Sequence, residues 1–138
     1  MAQRGNITLT DAATTPVNHV FKPIGLSDQG VLTWRDSNQT IYSGQAVLTL
    51  SQRLADRKSK TTKVEWKLET PVLEVTSPST SSGIQPAPTV AYRPLVKMDF
   101  ILPDRMTLQE RKDLLSQIRD LLSESILTTQ VQDLDMIY

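Results

Sequence analysis

The 138-residue chain has no cysteine and a single histidine, His19. Disulfides, thiolate metal sites and a cysteine nucleophile are therefore excluded, and one imidazole cannot build the histidine cluster of a zinc centre. No metal and no cofactor is expected. No apolar run approaches the roughly 20 residues of a membrane span, so no membrane partner is expected either. The segment Met1-Ala2-Gln3-Arg4-Gly5 has no apolar signal core, which argues against a secretory leader. Aromatics are few: two Trp, three Tyr and two Phe. Neither charge sign dominates, with 15 Lys+Arg against 15 Asp+Glu and a formal net charge of zero, which speaks against a uniformly basic nucleic-acid binder. The Gly-rich phosphate loop, the dinucleotide glycine signature, the two-histidine zinc motif and the serine elbow are all missing. His19 lies in no nucleophile motif and reads as an ordinary strand residue. The carboxylate pairs Glu65/Glu69 and Asp133/Asp135 read as solvated faces, so no catalytic residue is expected and the chain is read as not an enzyme.

What is present is unevenly distributed. From Arg53 to Lys67, six basic residues stand against two acidic ones, a local net of +4, whereas Asp104 to Tyr138 carries seven acidic and four basic residues, a net of −3. At this length the chain forms one domain, residues 1–138. Hydrophobic period two dominates most of it. Asn6–Thr10 and Asn18–Phe21 flank the turn-prone Asp11–Pro16 and predict an N-terminal hairpin within residues 1–22. A sheet region follows at 30–103. There, Gly30-Val31-Leu32-Thr33-Trp34 is a short strand ended by Asp36-Ser37-Asn38. Gln45–Gln52 places Ala46, Leu48 and Leu50 opposite Val47, Thr49 and Ser51. Lys63–Glu69 places Val64, Trp66 and Leu68 opposite Lys63, Glu65, Lys67 and Glu69. Leu95–Leu102 places Val96, Met98, Phe100 and Leu102 opposite Leu95, Lys97 and Asp99. One greasy and one polar face are the pattern of an antiparallel sheet covered on one side.

Two loops separate these strands. Arg53–Thr62 is a polar, basic hairpin tip, and Thr76–Pro88 is rich in Ser, Thr, Pro and Gly, a flexible connection without a core. At residues 107–138 the period changes. Thr107-Leu108-Gln109-Glu110 is a capping box, followed by Leu114, Leu115, Ile118, Leu121 and Leu122 at helical spacing. Ser123-Glu124-Ser125 offers a break, and Ile126, Leu127, Val131, Leu134 and Ile137 suggest a second, shorter helical segment. Strands followed by helices give an α+β fold. Two short helices must then cover the apolar face of five or six strands. An intertwined homodimer that exchanges helices resolves the shortage, with Trp66, Met98, Phe100, Leu114, Ile118, Leu121 and Leu122 as its core; a small sheet with an incompletely covered face is the alternative.

The polar face is the candidate binding surface. Val47, Thr49, Ser51, Glu65, Lys67 and Lys97 point the same way on adjacent strands. Hydroxyls bond base edges and lysines neutralise phosphates, and the basic hairpin tip adjoins them; a merely solvated face is the plain alternative. No aromatic stacking residue lies on that face in these three strands.

The ordered set LTDAATTPVNHVFKPIG, Gly30-Val31-Leu32-Thr33-Trp34, DRKSKTTKVEWKLETP, YRPLVKMDF and MTLQERKDLL, closing on Tyr138, resembles the coat proteins of single-stranded RNA bacteriophages, the levivirus family, over nearly the whole chain. The resemblance implies an N-terminal hairpin, a five-stranded antiparallel sheet and two C-terminal helices, interlocked as a homodimer. It implies dimers assembling into an icosahedral T=3 shell in the bacterial host cytoplasm, as part of the virion, with the open sheet face toward genomic single-stranded RNA. An RNA hairpin operator bound there would direct packaging and repress replicase translation, and a phage maturation protein would be a further partner. By the same resemblance Val31, Val47, Thr49, Glu65 and Lys67 fall on an adenine pocket, and Ser51 and Lys63 beside it near phosphates. Leu95 replaces a stacking Tyr and Lys97 an Asn or Thr; Tyr92, three residues earlier, is expected on the other side of that strand. The loop bearing Ser82, Gly83, Pro86 and Pro88 would join dimers. A dimeric RNA-binding regulator that forms no shell, or a small enzyme with its pocket on the polar face, remain the competing readings.

Overall fold

A computed structural model describes residues 3–74, 83 and 86–138. Over these residues the chain forms two compact units, Met1–Leu54 with Thr62–Ile101, and Ala55–Thr61 with Leu102–Tyr138.

In the first unit, β1 (Ile7–Thr10), β2 (Asn18–Leu26), β3 (Leu32–Asp36), β4 (Val47–Arg53) and β5 (Thr61–Glu69) pair antiparallel in chain order. Strand β8 (Leu95–Pro103) adds to the free edge of β5, so the order is β1-β2-β3-β4-β5-β8. The N-terminal hairpin is therefore continuous with the sheet, because β2 runs on to Leu26. It does so past Pro23, at a register shift between Pro23 and Gly25; a bulge is where a strand tolerates a residue with no N–H. Gly30 closes the β2–β3 turn at φ 77, a left-handed conformation that glycine adopts without a Cβ penalty.

A second ribbon, unexpected from the sequence, pairs β6 (Val72–Leu73) with β7 (Val90–Tyr92). Tyr92 consequently belongs to β7 and not to the strand that carries Lys97, which corrects the expectation that it sits on the reverse side of that strand. Pro94 is the reason: it offers no ladder N–H, so the pairing is interrupted between Tyr92 and Leu95. The ribbon lies close against Gly44. A Cβ there would meet Leu73 Cγ at 2.8 Å, so only glycine fits beneath that side chain. Within the Thr76–Pro88 loop, Gly83, Pro86 and Pro88 are exposed, and Ser82 lies outside the described residues.

The period-two reading fixes the core. Leu32, Leu50 and Trp66 stand in one cross-strand row, and Trp34, Leu48 and Leu68 in the next. Phe21, Trp34, Leu48 and Leu50 are buried, flanked by Ile7, Leu32, Ala46, Val64, Trp66 and Leu68. Each fully buried side chain of this size contributes about 1.5–3 kcal/mol. The Trp34 and Trp66 rings stack at 5.8 Å, and Trp34 Nε1 donates to the Gly5 carbonyl at 2.9 Å, giving the indole its polar partner.

In the second unit, α1 (Leu108–Ser123) starts on the expected capping box: Thr107 Oγ1 accepts from Glu110 N at 3.3 Å and Glu110 Oε2 accepts from Thr107 N at 2.7 Å. Glu124 breaks the helix with extended backbone before the short α2 (Ser125–Thr128), which runs into a wider π-type turn at Thr129–Asp133. Neither helix buries a residue in the single chain; Leu121 is 52% and Leu122 59% exposed, while Leu114 and Ile118 are half-buried.

Candidate nucleic-acid interface

Cross-strand register assembles the polar face row by row. Lys22, Arg35, Val47 and Glu69 form one row across β2 to β5; Thr33, Thr49 and Lys67 form the next; Ser51 faces Glu65 in the third. Directly opposed residues share a face, so Val47, Thr49, Ser51, Glu65 and Lys67 are brought together as the alternation predicts. Val31 immediately precedes β3, two residues from Thr33 and hence on the same side; its N–H is held by Ser27 Oγ at 3.1 Å. Leu95 begins β8 and is 59% exposed.

Glu65 is the electrostatic centre. Its carboxylate takes Lys67 Nζ at 2.8 Å, Lys63 Nζ at 3.1 Å and Lys97 Nζ at 3.5 Å. The hydrogen bond from Lys67, then that from Lys63, hold its pKa down to about 2, and Lys67 is raised in turn by Glu65. Lys97 also lies 3.8 Å from Asp99. Glu65 is only 14% exposed while the three lysines are 40–48% exposed. The carboxylate therefore works as an anchor. An ammonium has three donors, and each lysine that spends one on Glu65 keeps others for an outside acceptor. Fixed ammoniums beside Thr33, Thr49 and Ser51 hydroxyls suit a ligand that presents phosphates and base edges together.

Thr33 and Arg35 belong to this face and were missed by the sequence reading, although the alternation Val31-Thr33-Arg35 contains the signal. The basic tip is shaped by Asp56, whose Oδ1 accepts from Lys58 N at 2.8 Å and from Ser59 N, an Asx turn that leaves Arg57 and Lys58 exposed. An open pocket of about 460 Å³ lies on the other face of the sheet, lined by Phe21, Ala46, Leu68, His19, Asp36 and Asp11. Among the described residues no group of His, Asp and Glu could hold a metal ion.

A sheet with one charged and one apolar face, and helices that bury no residue in the single chain, is the pattern of a protein that assembles with further copies. The levivirus coat protein family model matches residues 2–138. The chain belongs to that family: it is a viral capsid protein and not an enzyme. The virus-like particle of bacteriophage ESE058 superposes with a TM-score of 0.90 at 33% identity, covering 99% of this chain and 100% of that one. The virus-like particle of bacteriophage NT-214 gives 0.86 at 26% identity, covering 99% and 100%. The bacteriophage GA protein capsid shares the fold, with a TM-score of 0.74 at 19% identity over 97% of each chain. No curated protein sequence matches.

Proposed function

We propose that this coat subunit pairs with a second copy, closes into an icosahedral T=3 shell, and binds single-stranded RNA on the polar sheet face. A hairpin of the genome, seated there, would mark it for packaging and repress replicase translation; assembly in the host cytoplasm and a maturation-protein partner belong to the same reading. The observation that carries RNA binding is the anchoring of Lys63, Lys67 and Lys97 on one half-buried carboxylate in register with Thr33, Thr49 and Ser51. Neutral overall charge is no obstacle, since the positive excess lies on this sheet and its hairpin and the negative excess on the helical tail.

Pairing of two copies is supported by β8. It is nine residues long, lies at the sheet edge, and exposes Leu95, Val96 and Ile101 to about the same degree, 59–63%. A long edge strand that exposes apolar side chains is a template for another strand, and a second copy supplies one. The loop with Ser82, Gly83, Pro86 and Pro88 would join dimers to one another.

Lys67→Ala tests the RNA site. Affinity for RNA should fall and its salt slope should shrink by about 0.7–0.9 for each phosphate no longer neutralised, while particles remain intact by electron microscopy. Unchanged affinity and slope remove Lys67 from the site. Images showing only discrete dimers would favour the regulator reading over the shell.

A further inference from the structure

The polar face has an aromatic after all, supplied by a turn and not by a strand. Tyr42 lies in the 3₁₀ turn Tyr42–Gly44 between β3 and β4. Its ring is covered by the Arg35 guanidinium, with Cζ 4.1 Å from the ring centroid, a cation–π contact. Arg35 stands opposite both Val47 and Lys22, in the first row of the lysine-bearing face. The pair is therefore on the surface assigned above to RNA, two rows along the strands (about 13 Å) and two strands across from Glu65.

Two observations separate this pair from a chance surface contact. Tyr42 is 69% exposed although one ring face rests on the guanidinium, so the opposite ring face is open to solvent. Arg35 also keeps its Nε buried with no hydrogen-bond partner among the described residues. Buried polar groups are nearly always satisfied, and an arginine free to swing out would hydrate that nitrogen. The guanidinium instead stays over the ring, where its Nη1 also donates to the Tyr42 carbonyl at 3.5 Å, leaving an aromatic plate with a cation at its back. Beside it Lys22 is exposed and makes no ion pair among the described residues.

We infer that Tyr42, backed by Arg35, stacks an unpaired base of single-stranded RNA, with Lys22 facing the adjoining phosphate. Flat π-faces accept any base, so the contact is sequence-tolerant and adds to whatever the Glu65 cluster selects. It rests on the RNA-binding reading of the polar face, and extends that face by a stacking subsite at its far row.

The test uses the full-length protein and a short, unstructured, fluorescently labelled RNA, with anisotropy measured over a salt series for wild type, Tyr42→Ala, Tyr42→Phe and Lys67→Ala. Tyr42→Ala should bind about 5- to 150-fold more weakly, the value of one base–aromatic stack, with its salt slope unchanged because every phosphate-facing cation is still in place. Tyr42→Phe should bind like wild type. In parallel, thiouridine-labelled RNA photocrosslinked to the wild-type protein should modify the peptide containing Tyr42, a readout that needs no variant to fold. Wild-type affinity in Tyr42→Ala, or crosslinks confined to other peptides, overturns the stacking site; with Lys67→Ala still weakened, the RNA-binding reading survives it. A wild-type protein that does not bind the RNA overturns both.

Discussion

His19 shows how one residue can tie local chemistry to the stability of the fold. Nδ1 lies 2.7 Å from Asp36 Oδ2 and Nε2 3.2 Å from Asp11 Oδ2. A ring that meets a carboxylate at each nitrogen can donate to both only as imidazolium. The hydrogen bond to Asp36, then that to Asp11, raise the His19 pKa above its ordinary 6.5. Asp11 is lowered from 3.8, chiefly by the Val17 N–H and then by His19. The clamp ties the β1–β2 turn to the end of β3. Its His19 contribution is fully present below pH 6.5 and is lost as the pH rises through the raised value; the Asp11 contribution is lost as the pH falls below 3.8 through its lowered value. Thermal unfolding of the wild type should therefore lose ground to His19→Gln as the pH climbs from 6.5, the variant profile staying flat over that window. Parallel profiles would mean that the clamp carries no proton linkage. The sequence placed His19 in a strand, correctly, but its partners lie 8 and 17 residues away, and only the register of β1, β2 and β3 brings them together.

At the scale of elements, what the sequence made legible were features with a local cause. Alternation set the faces of β4, β5 and β8, and the capping box set the start of α1, because each depends on residues a few positions apart. Features with a distant cause were not legible. The β6–β7 ribbon depends on a pairing of Val72 with Tyr92, and the ring–guanidinium plate depends on a turn that returns Tyr42 to Arg35. The shared polar face of Val47, Thr49, Ser51, Glu65 and Lys67 was legible because it follows from strand parity, whereas Lys97 as a third lysine on Glu65 required β8 to lie beside β5. The local cause at α1 can be weighed. Thr107→Ala removes the cap acceptor for Glu110 N and should destabilise by about 0.5–2 kcal/mol, with Thr107→Ser near wild type. Thermal unfolding of the dissociated protein measures it, and an Ala variant as stable as Ser would show that the helix start is held by something other than the cap.

At the scale of the whole molecule the apolar stripe of the helices raises the question of what covers it. Leu115, Leu121 and Leu122 are each more than half exposed in one chain, and at helical spacing along α1 they make an apolar stripe of the kind that marks an interface. Two outcomes separate on a single substitution. If Leu122 stays in water, Leu122→Asp is a surface change worth no more than about 0.5 kcal/mol, and particles should form normally. If a second copy covers it, the variant buries an unpaired carboxylate, which costs several kcal/mol unless the group takes up a proton. Assembly should then fail at neutral pH, while α1 itself, whose cap and backbone are untouched, keeps its helicity by circular dichroism. Ile118→Asp, at a half-buried position one turn earlier, should fail in the same way. Lowering the pH toward the ordinary carboxyl range should partly restore Leu122→Asp particles by neutralising the buried charge, whereas a defect in folding would not respond. Normal particles from both variants at neutral pH would show that the helical stripe lies outside the assembly contacts, and the sheet edge at β8 would have to carry dimer formation alone.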